Sequence, residues 1–376
     1  MTTRLAIALA AALAASTAAA QEPIRIGLST PLSGTAANLG EHDKWGAELA
    51  VEEINAAGGL LGRKVVLLPQ DNRCNPAESV KAAGKLINED KVVALLGAMC
   101  SSSTLATMPI VQRERIPFVV AISTASKITE QSGAGGNVWT FKTNPTDSGL
   151  SKALLEFLAR DRKMKRVAVV AEDTDYGRGG ADAMRAAGKE HGIEITTADF
   201  FPQGTPDFTT LLTKLRAQRP DAIAIYALGA DQINWFRQYV GFGMRVPMTG
   251  RVNNEEINKQ FIGQGAVNGT TSVFPYDWRV DTAANKAFAE KYRAKHKVAP
   301  FYQSFYSYEA TQILADAIRR AGSTDAEAIR TALRATRYAS ALGATIAFDA
   351  NNQAHNFAVI TEIREGDIKV VGLEGT

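Results

Sequence analysis

Residues 92–123 read VVALLGAMCSSSTLATMPIVQRERIPFVVAIS. An apolar run from Val92 to Gly97 is followed by a hydroxyl-rich loop, a segment of helical character from Thr104 to Arg113, and a second apolar run from Phe118 to Ser123. Strand runs that are apolar at nearly every position belong in a sheet covered on both faces, and a helix between two such strands makes a right-handed parallel crossover. The unit repeats in both directions. Upstream lie strands Ile24 to Ser29 and Lys64 to Gln70, with helices Gly40 to Ala57, stopped by Gly58-Gly59, and Pro76 to Asn88. Downstream, after Phe141-Lys142-Thr143-Asn144-Pro145 and a turn rich in Asp, Ser and Gly, the alternation restarts. It runs through helix Leu150 to Arg160, strand Arg166 to Ala171, helix Arg178 to His191, strand Ile193 to Phe201, helix Asp207 to Arg216, strand Ala222 to Leu228, helix Asp231 to Val240 and strand Pro247 to Gly250. The expected fold class is α/β, with two doubly wound parallel-sheet lobes. Three helices (Ala283 to Lys295, Tyr306 to Ala321, Ala326 to Ala335) and three short strands (Ala344 to Phe348, Ala358 to Ile363, Ile368 to Val371) complete the lobes.

The 376 residues suffice for two or three domains at about 150 residues each. Forty-two basic and 39 acidic residues are interspersed and leave a net charge of only +3, so no nucleic-acid footprint stands out. The first twenty residues differ from the rest. Arg4 precedes the apolar run Leu5 to Ala15, and Ala18-Ala19-Ala20 offers a small-residue cleavage pattern before Gln21. Residues 1–20 therefore read as a secretory signal peptide, and the mature chain as a soluble exported protein. Export would place Cys74 and Cys100 in an oxidising space where they can pair. The two cysteines and His42, His191, His296 and His355 lack metal-ligand spacing, so no metal and no cofactor are expected.

In open parallel sheets ligands gather beyond the carboxyl ends of the strands, where helix N-termini offer free N–H groups. Ser101, Ser102 and Ser103 occupy such a loop, and Ile122, Ser123 and Thr124 occupy the equivalent loop of the next unit. Small hydroxyls beside a helix start suit a carboxylate. Tyr176, in Asp173-Thr174-Asp175-Tyr176-Gly177, takes the corresponding position in the second half, and Arg251 follows a strand end where a guanidinium can grip a carboxylate with two hydrogen bonds. Catalytic signatures are missing: there is no GxSxG, no GxxxxGK[ST], and Gly241-Phe242-Gly243 has Val246 where GxGxxG needs its third glycine. A secreted hydrolase using Ser101 is the rival outside binding proteins.

Taken together, IRIGLSTPLSG from Ile24, ELAVEEINAAGGLLGRKVVLL from Glu48, DNRCNPAESV from Asp71, GAMCSSST from Gly97 and DYG from Asp175 resemble the branched-chain amino acid and amide group of periplasmic solute-binding proteins, the receptors of ABC importers. The resemblance spans nearly the whole mature chain. It implies a type I periplasmic binding fold with a three-segment hinge near Thr143, Phe274 and Asp349, dividing the chain into 21–143 plus 275–349 and 144–274 plus 350–376. It implies a Cys74–Cys100 disulfide, and a ligand head held by Ser101 and Thr124 with the Ile122 carbonyl assisting. Tyr176 matches a ligand-touching tyrosine of the second lobe, and a late pocket position falls on Gln303 or Phe305. Two positions depart from the pattern: Leu39 stands where the family has a tyrosine, and Arg251 stands on or near the site of the glutamate that binds an α-ammonium. A base there disfavours an ammonium and favours a carboxylate without one, such as an aromatic or 2-oxo acid, or a second carboxylate meeting Arg251; a register shift to Asn253 or Glu255 would restore the amino acid. The expected partners are a small solute and the permease, with the protein acting as a monomer. A sensor for a kinase or chemoreceptor is the alternative role.

Overall fold

Strand Arg166–Glu172 shows why the sheets are buried on both sides: Val167, Val169 and Ala171 point into one apolar core, while Ala168 and Val170 point into another. The computed structural model describes residues 21–261 and 267–376. The signal-peptide reading of residues 1–20 lies outside the described residues. In chain order the elements are β1 (Ile24–Thr30), α1 (Ala37–Ala56), β2 (Val65–Asp71), α2 (Pro76–Asn88), β3 (Ala94–Gly97), α3 (Ser101–Glu114), β4 (Phe118–Val120), α4 (Ser126–Glu130), β5 (Thr140–Lys142), α5 (Asp147–Asp161), β6 (Arg166–Glu172), α6 (Asp175–His191), β7 (Glu194–Phe201), α7 (Thr209–Gln218), β8 (Ala222–Tyr226), α8 (Gly229–Gly241), β9 (Met248–Gly250), α9 (Asn254–Phe261), β10 (Thr271–Phe274), α10 (Ala283–His296), α11 (Tyr302–Ala321), α12 (Ala326–Arg334), β11 (Tyr338–Ala339), β12 (Thr345–Ile346), β13 (Phe357–Arg364) and β14 (Asp367–Gly375).

The first parallel sheet has the order β2-β1-β3-β4-β5 and the second β7-β6-β8-β9. Both reverse direction of winding around their first strand, so the duplicated order places a topological switch point between β1 and β3 and another between β6 and β8. Among the late segments, Phe288, Tyr292, Phe305 and Ile313 pack with Ile24, Ile26 and Leu28 of the first sheet. Val273, Ala358 and Ile360 pack with Val167 and Val169 of the second. Strands β10, β13 and β14 form an antiparallel sheet, tied to β9 by the hydroxyls of Thr249 and Thr271 at 2.7 Å. Between Phe348 and Phe357 the chain returns to β5, where Ala354 N–H donates to the Lys142 carbonyl at 2.8 Å.

Several helices begin earlier than their apolar periodicity suggests. α3 starts at Ser101 rather than Thr104, α6 at Asp175 rather than Arg178, and α11 at Tyr302 rather than Tyr306. The first turn of a helix needs no apolar face, only partners for its N–H groups; Thr174, for example, accepts from the Gly177 N–H at 3.2 Å. The early starts turn loop residues into first-turn residues. α11 also runs close against α1: a Cβ on Gly46 would stand 2.1 Å from the Ser304 carbonyl oxygen, so no larger side chain fits there.

Cys74 and Cys100 form a disulfide with their Cα atoms 5.4 Å apart, joining the loop after β2 to the residue before α3. The bridge closes a loop of about 27 residues, which in the chain-entropy view contributes about 3 to 4 kcal/mol. Cys74→Ser/Cys100→Ser is expected to lower the unfolding free energy by that amount in urea titrations, and reduction of the native protein should do the same. A loss below about 1 kcal/mol would mean that the unfolded chain is already restricted near this loop.

Candidate functional site

The two switch points face each other. Ala230 N–H, in the first turn of α8, donates to the Thr35 carbonyl at 3.0 Å; Asp175 N–H, in the first turn of α6, donates to Ser102 Oγ at 3.1 Å; and Lys127 Nζ lies 3.6 Å from the Asp175 carboxylate. Each contact crosses from one sheet unit to the other, so the cleft between them is shut. Gly229 makes the first contact possible: its φ is +46°, and a Cβ would come within 2.1 Å of the Thr35 oxygen.

Between the closed lips lies a chamber in which the centre of a water-sized sphere can move through about 70 Å³. Leu39, Tyr176, Arg251 and Gln303 all border it, together with Phe274, Trp278 and Tyr302. Ser101, Ser102, Ile122, Ser123 and Thr124 are absent from that lining; Ser101, Ile122, Ser123 and Thr124 are buried and Ser102 is half-buried. Among these residues several polar groups are engaged. Ser101 Oγ accepts from Ala125 N–H at 3.4 Å, Ser123 Oγ donates to the Met99 carbonyl at 2.8 Å and meets Thr104 at 2.6 Å, and the Ile122 carbonyl accepts from Asn144 Nδ2 at 2.9 Å. Ser123 thus ties two loops together, and Ser102 forms part of the closure contact.

These residues and the chamber are joined through Asp147, a residue that reads in the sequence as part of a turn. It lies in the first turn of α5, and its N–H donates to the Thr124 carbonyl at 2.7 Å. Arg251 Nη1 donates to Asp147 Oδ1 at 3.1 Å, and both side chains are wholly inaccessible to solvent. The guanidinium carbon sits 4.6 Å from the Phe274 ring centre, 5.6 Å from Tyr302 and 5.9 Å from Tyr176. Aromatic faces of this kind stabilise a desolvated cation. Three atoms of the pair have no partner: Arg251 Nε, Arg251 Nη2 and Asp147 Oδ2. The sequence alone presents Arg251 as a lone base against the ligand; in the fold Asp147 stands against it, and the buried Lys142 ammonium adds a second cation to the group.

Lys142, at the end of β5, is also buried, its ammonium donating to the carbonyls of Asn144 and Pro145 at 2.8 Å each. Burial lowers its pKa to about 7, with the Asp147 carboxylate pulling in the opposite direction. Burial likewise raises the pKa of Asp147, against the pull of Arg251 and Thr124. At the end of β6 Glu172 accepts from Leu228 N–H at 2.5 Å and Gln203 Nε2 at 3.1 Å, and burial pushes it up to about 7. Sequence reading missed Asp147 and Glu172. The usable signal for Asp147 was Thr146-Asp147-Ser148-Gly149, a hydroxyl cap followed by an acid in the first helical turn.

Residues 23–367 match the periplasmic binding protein family. The chain belongs to that family. This periplasmic binding protein is 31% identical to an amino acid binding protein of Pseudomonas aeruginosa, over 85% of this chain and 84% of the relative. It is 29% identical to the leucine-, isoleucine-, valine-, threonine- and alanine-binding protein of the same organism, over 94% and 93%. Among solved structures it resembles a leucine-binding protein of Thermotoga maritima, with a TM-score of 0.84 and 26% identity over 93% of this chain and 98% of that one. A solute-binding protein of R. palustris in complex with benzoate shares the fold, with a TM-score of 0.86 and 21% identity over 94% and 98%.

Proposed function

We propose that this periplasmic binding protein is the receptor of an ABC importer, capturing a small carboxylate-bearing solute between lobes that close around it and presenting it to a membrane permease. The lobes are assigned as 21–143 plus 275–349 and 144–274 plus 350–376, and the mature chain as a periplasmic monomer released from a signal peptide at residues 1–20. No covalent chemistry is involved. The observation that carries this reading is Arg251, a fully buried guanidinium at the chamber wall whose Nε and Nη2 lack protein partners. Unpaired buried donors of this kind are costly unless something fills the space before them. A carboxylate has the shape and charge to do so. Closure gives the permease a way to tell loaded from empty protein, because only the shut form brings both lobes to the solute.

Mass spectrometry of the solute released on denaturation, followed by calorimetry with that compound, tests the capture reading; a solute-dependent fall in radius of gyration by small-angle X-ray scattering tests closure. Gly229→Val should weaken binding by about 1 to 3 kcal/mol, because the added side chain collides with Thr35 only when the lobes meet. Unchanged affinity in this variant would mean that the shut form is not the one that holds solute.

A further inference from the structure

We propose that Glu172 sets the rim of the cleft for closure: its buried carboxylate holds together the loops that follow β6, β7 and β8, and each of these loops carries a contact to the opposite sheet unit. Glu172 acts through those loops and is a positioning residue for solute capture. The assignment rests on the proposed closure of the lobes.

The three contacts are Asp175 N–H to Ser102 Oγ at 3.1 Å, Ala230 N–H to the Thr35 carbonyl at 3.0 Å, and Gln203 Nε2 standing 4.0 Å from Sγ of the disulfide-bonded Cys74. All three trace back to Glu172. Its Oε2 accepts from Gln203 Nε2 at 3.1 Å and so orients the amide that faces Cys74. Its Oε1 accepts from the N–H of Leu228, which lies past the end of β8 and just before α8, where neither the sheet nor the helix offers that N–H an acceptor. Gly229 and Ala230 follow directly, so fixing Leu228 fixes the turn, with φ of +46° at Gly229, that brings Ala230 to Thr35. The Glu172 carbonyl accepts from Thr174 N–H at 2.9 Å, and a Cβ on Gly177 would stand 2.0 Å from that oxygen, so the turn that carries Asp175 folds against the same residue. Asp231 ties two of the loops a second time, both its carboxylate oxygens lying 3.0 Å from the Gly204 nitrogen.

The placement is costly. Glu172 is 1% exposed, and the charged group that acts on it is another acid, so burial first and the Asp231 carboxylate after it push its pKa up to about 7. An apolar side chain of similar size would serve the core of this sheet unit better. What the carboxylate provides instead is two acceptors aimed at two loops, and its use lies where those loops lead, at contacts made when the cleft is shut.

Amide exchange of the full mature chain, followed residue by residue by NMR at a single pH, tests this. The first N–H groups of a helix have no partner within it, so Ala230 and Asp175 are protected only while their contacts across the cleft hold. Exchange is measured on the protein as purified, and again with leucine or benzoate in excess. Glu172→Ala is expected to speed exchange at Ala230 by at least about tenfold, the scale of one charged hydrogen bond, while amides inside the neighbouring strands, such as Val169 and Ile223, change by less than about threefold. Glu172→Gln keeps an oxygen for Leu228 N–H and should leave Ala230 within about threefold of the parent. Should Glu172→Ala fail to fold, Glu172→Asp, which keeps the charge but shortens the reach, is expected to speed Ala230 in the same way. Unchanged exchange at Ala230 in these shortened variants, an equal acceleration of the strand amides, or no rescue by Glu172→Gln overturns the assignment and leaves solute capture standing. Free exchange at Ala230 in the parent under every condition means that the shut form is not populated, and overturns the closure reading and the assignment with it.

Discussion

Arg251→Ala is expected to weaken solute binding by about 2 to 5 kcal/mol, a loss that calorimetry reads as a rise in Kd of roughly 30-fold or more. The magnitude follows from what the side chain leaves behind. Asp147 is wholly buried when the cleft is shut, and Nη1 of Arg251 is its nearest cationic donor at 3.1 Å. Removing one member of a buried pair strands the other charge, which costs more than the pair itself contributes. The sleeve of Phe274, Tyr302 and Tyr176 also loses the cation it surrounds, and with it a further cation–π contribution. In the proposed closure cycle these costs fall on the shut form, since Tyr302 lies on the first sheet unit while Arg251 and Asp147 belong to the second, and opening admits water to the pair. The unfolding free energy of solute-free protein should therefore change much less than the affinity does. A variant that binds as well as the parent removes Arg251 from the site; one that loses stability and affinity equally makes the pair a structural strut.

The α/β architecture was legible because strands such as VVALLG and RVAVVA are apolar on both faces, a pattern that only a doubly covered parallel sheet accommodates. The duplicated strand order was legible because the alternation restarts after Pro145. Helix starts were less so. Ser101, Asp175 and Tyr302 precede the apolar periodicity of their helices, and what decides such a start is who satisfies the first N–H groups, a tertiary fact. The site divides the same way. Leu39, Tyr176, Arg251 and Gln303 could be placed from strand ends and family spacing, and all four border one chamber. Asp147 could not: it is 104 residues from Arg251 in the chain, and in sequence it is one more small polar residue in a turn. The electrostatic setting of Arg251 depends on that distant partner and on the buried Lys142, neither of which position 251 reveals by itself.

Glu309→Gln should stabilise the protein by about 2 to 3 kcal/mol at pH 7 and by much less at pH 5. Glu309 is buried within α11; its Oε1 accepts from Ala341 N–H at 3.1 Å and its Oε2 has no partner. Burial pushes its pKa up to about 7 from the ordinary 4.5. With the folded value above the unfolded one, the native state holds this proton across the interval from about 4.5 to 7 while the unfolded chain has released it, so stability falls as pH rises through that window. A tenfold difference in proton affinity between the folded and unfolded states is worth about 1.36 kcal/mol, which sets the size of the effect. Glutamine keeps an acceptor for Ala341 and carries no charge, so it removes the penalty without vacating the space. The wild-type curve alone cannot isolate this group: Glu172 and Asp43, raised by burial to about 7 and about 6, slope the same way, whereas His42, lowered by burial to about 4, slopes the other way below its ordinary value. The difference between variant and parent cancels those contributions, since none of the three residues is a hydrogen-bond partner of Glu309. Urea titrations of both proteins from about pH 5 to about pH 7.5 should show curves that diverge steadily with pH. A constant offset would mean that Glu309 is ionised throughout, with water or a nearby hydroxyl solvating Oε2 in the folded protein.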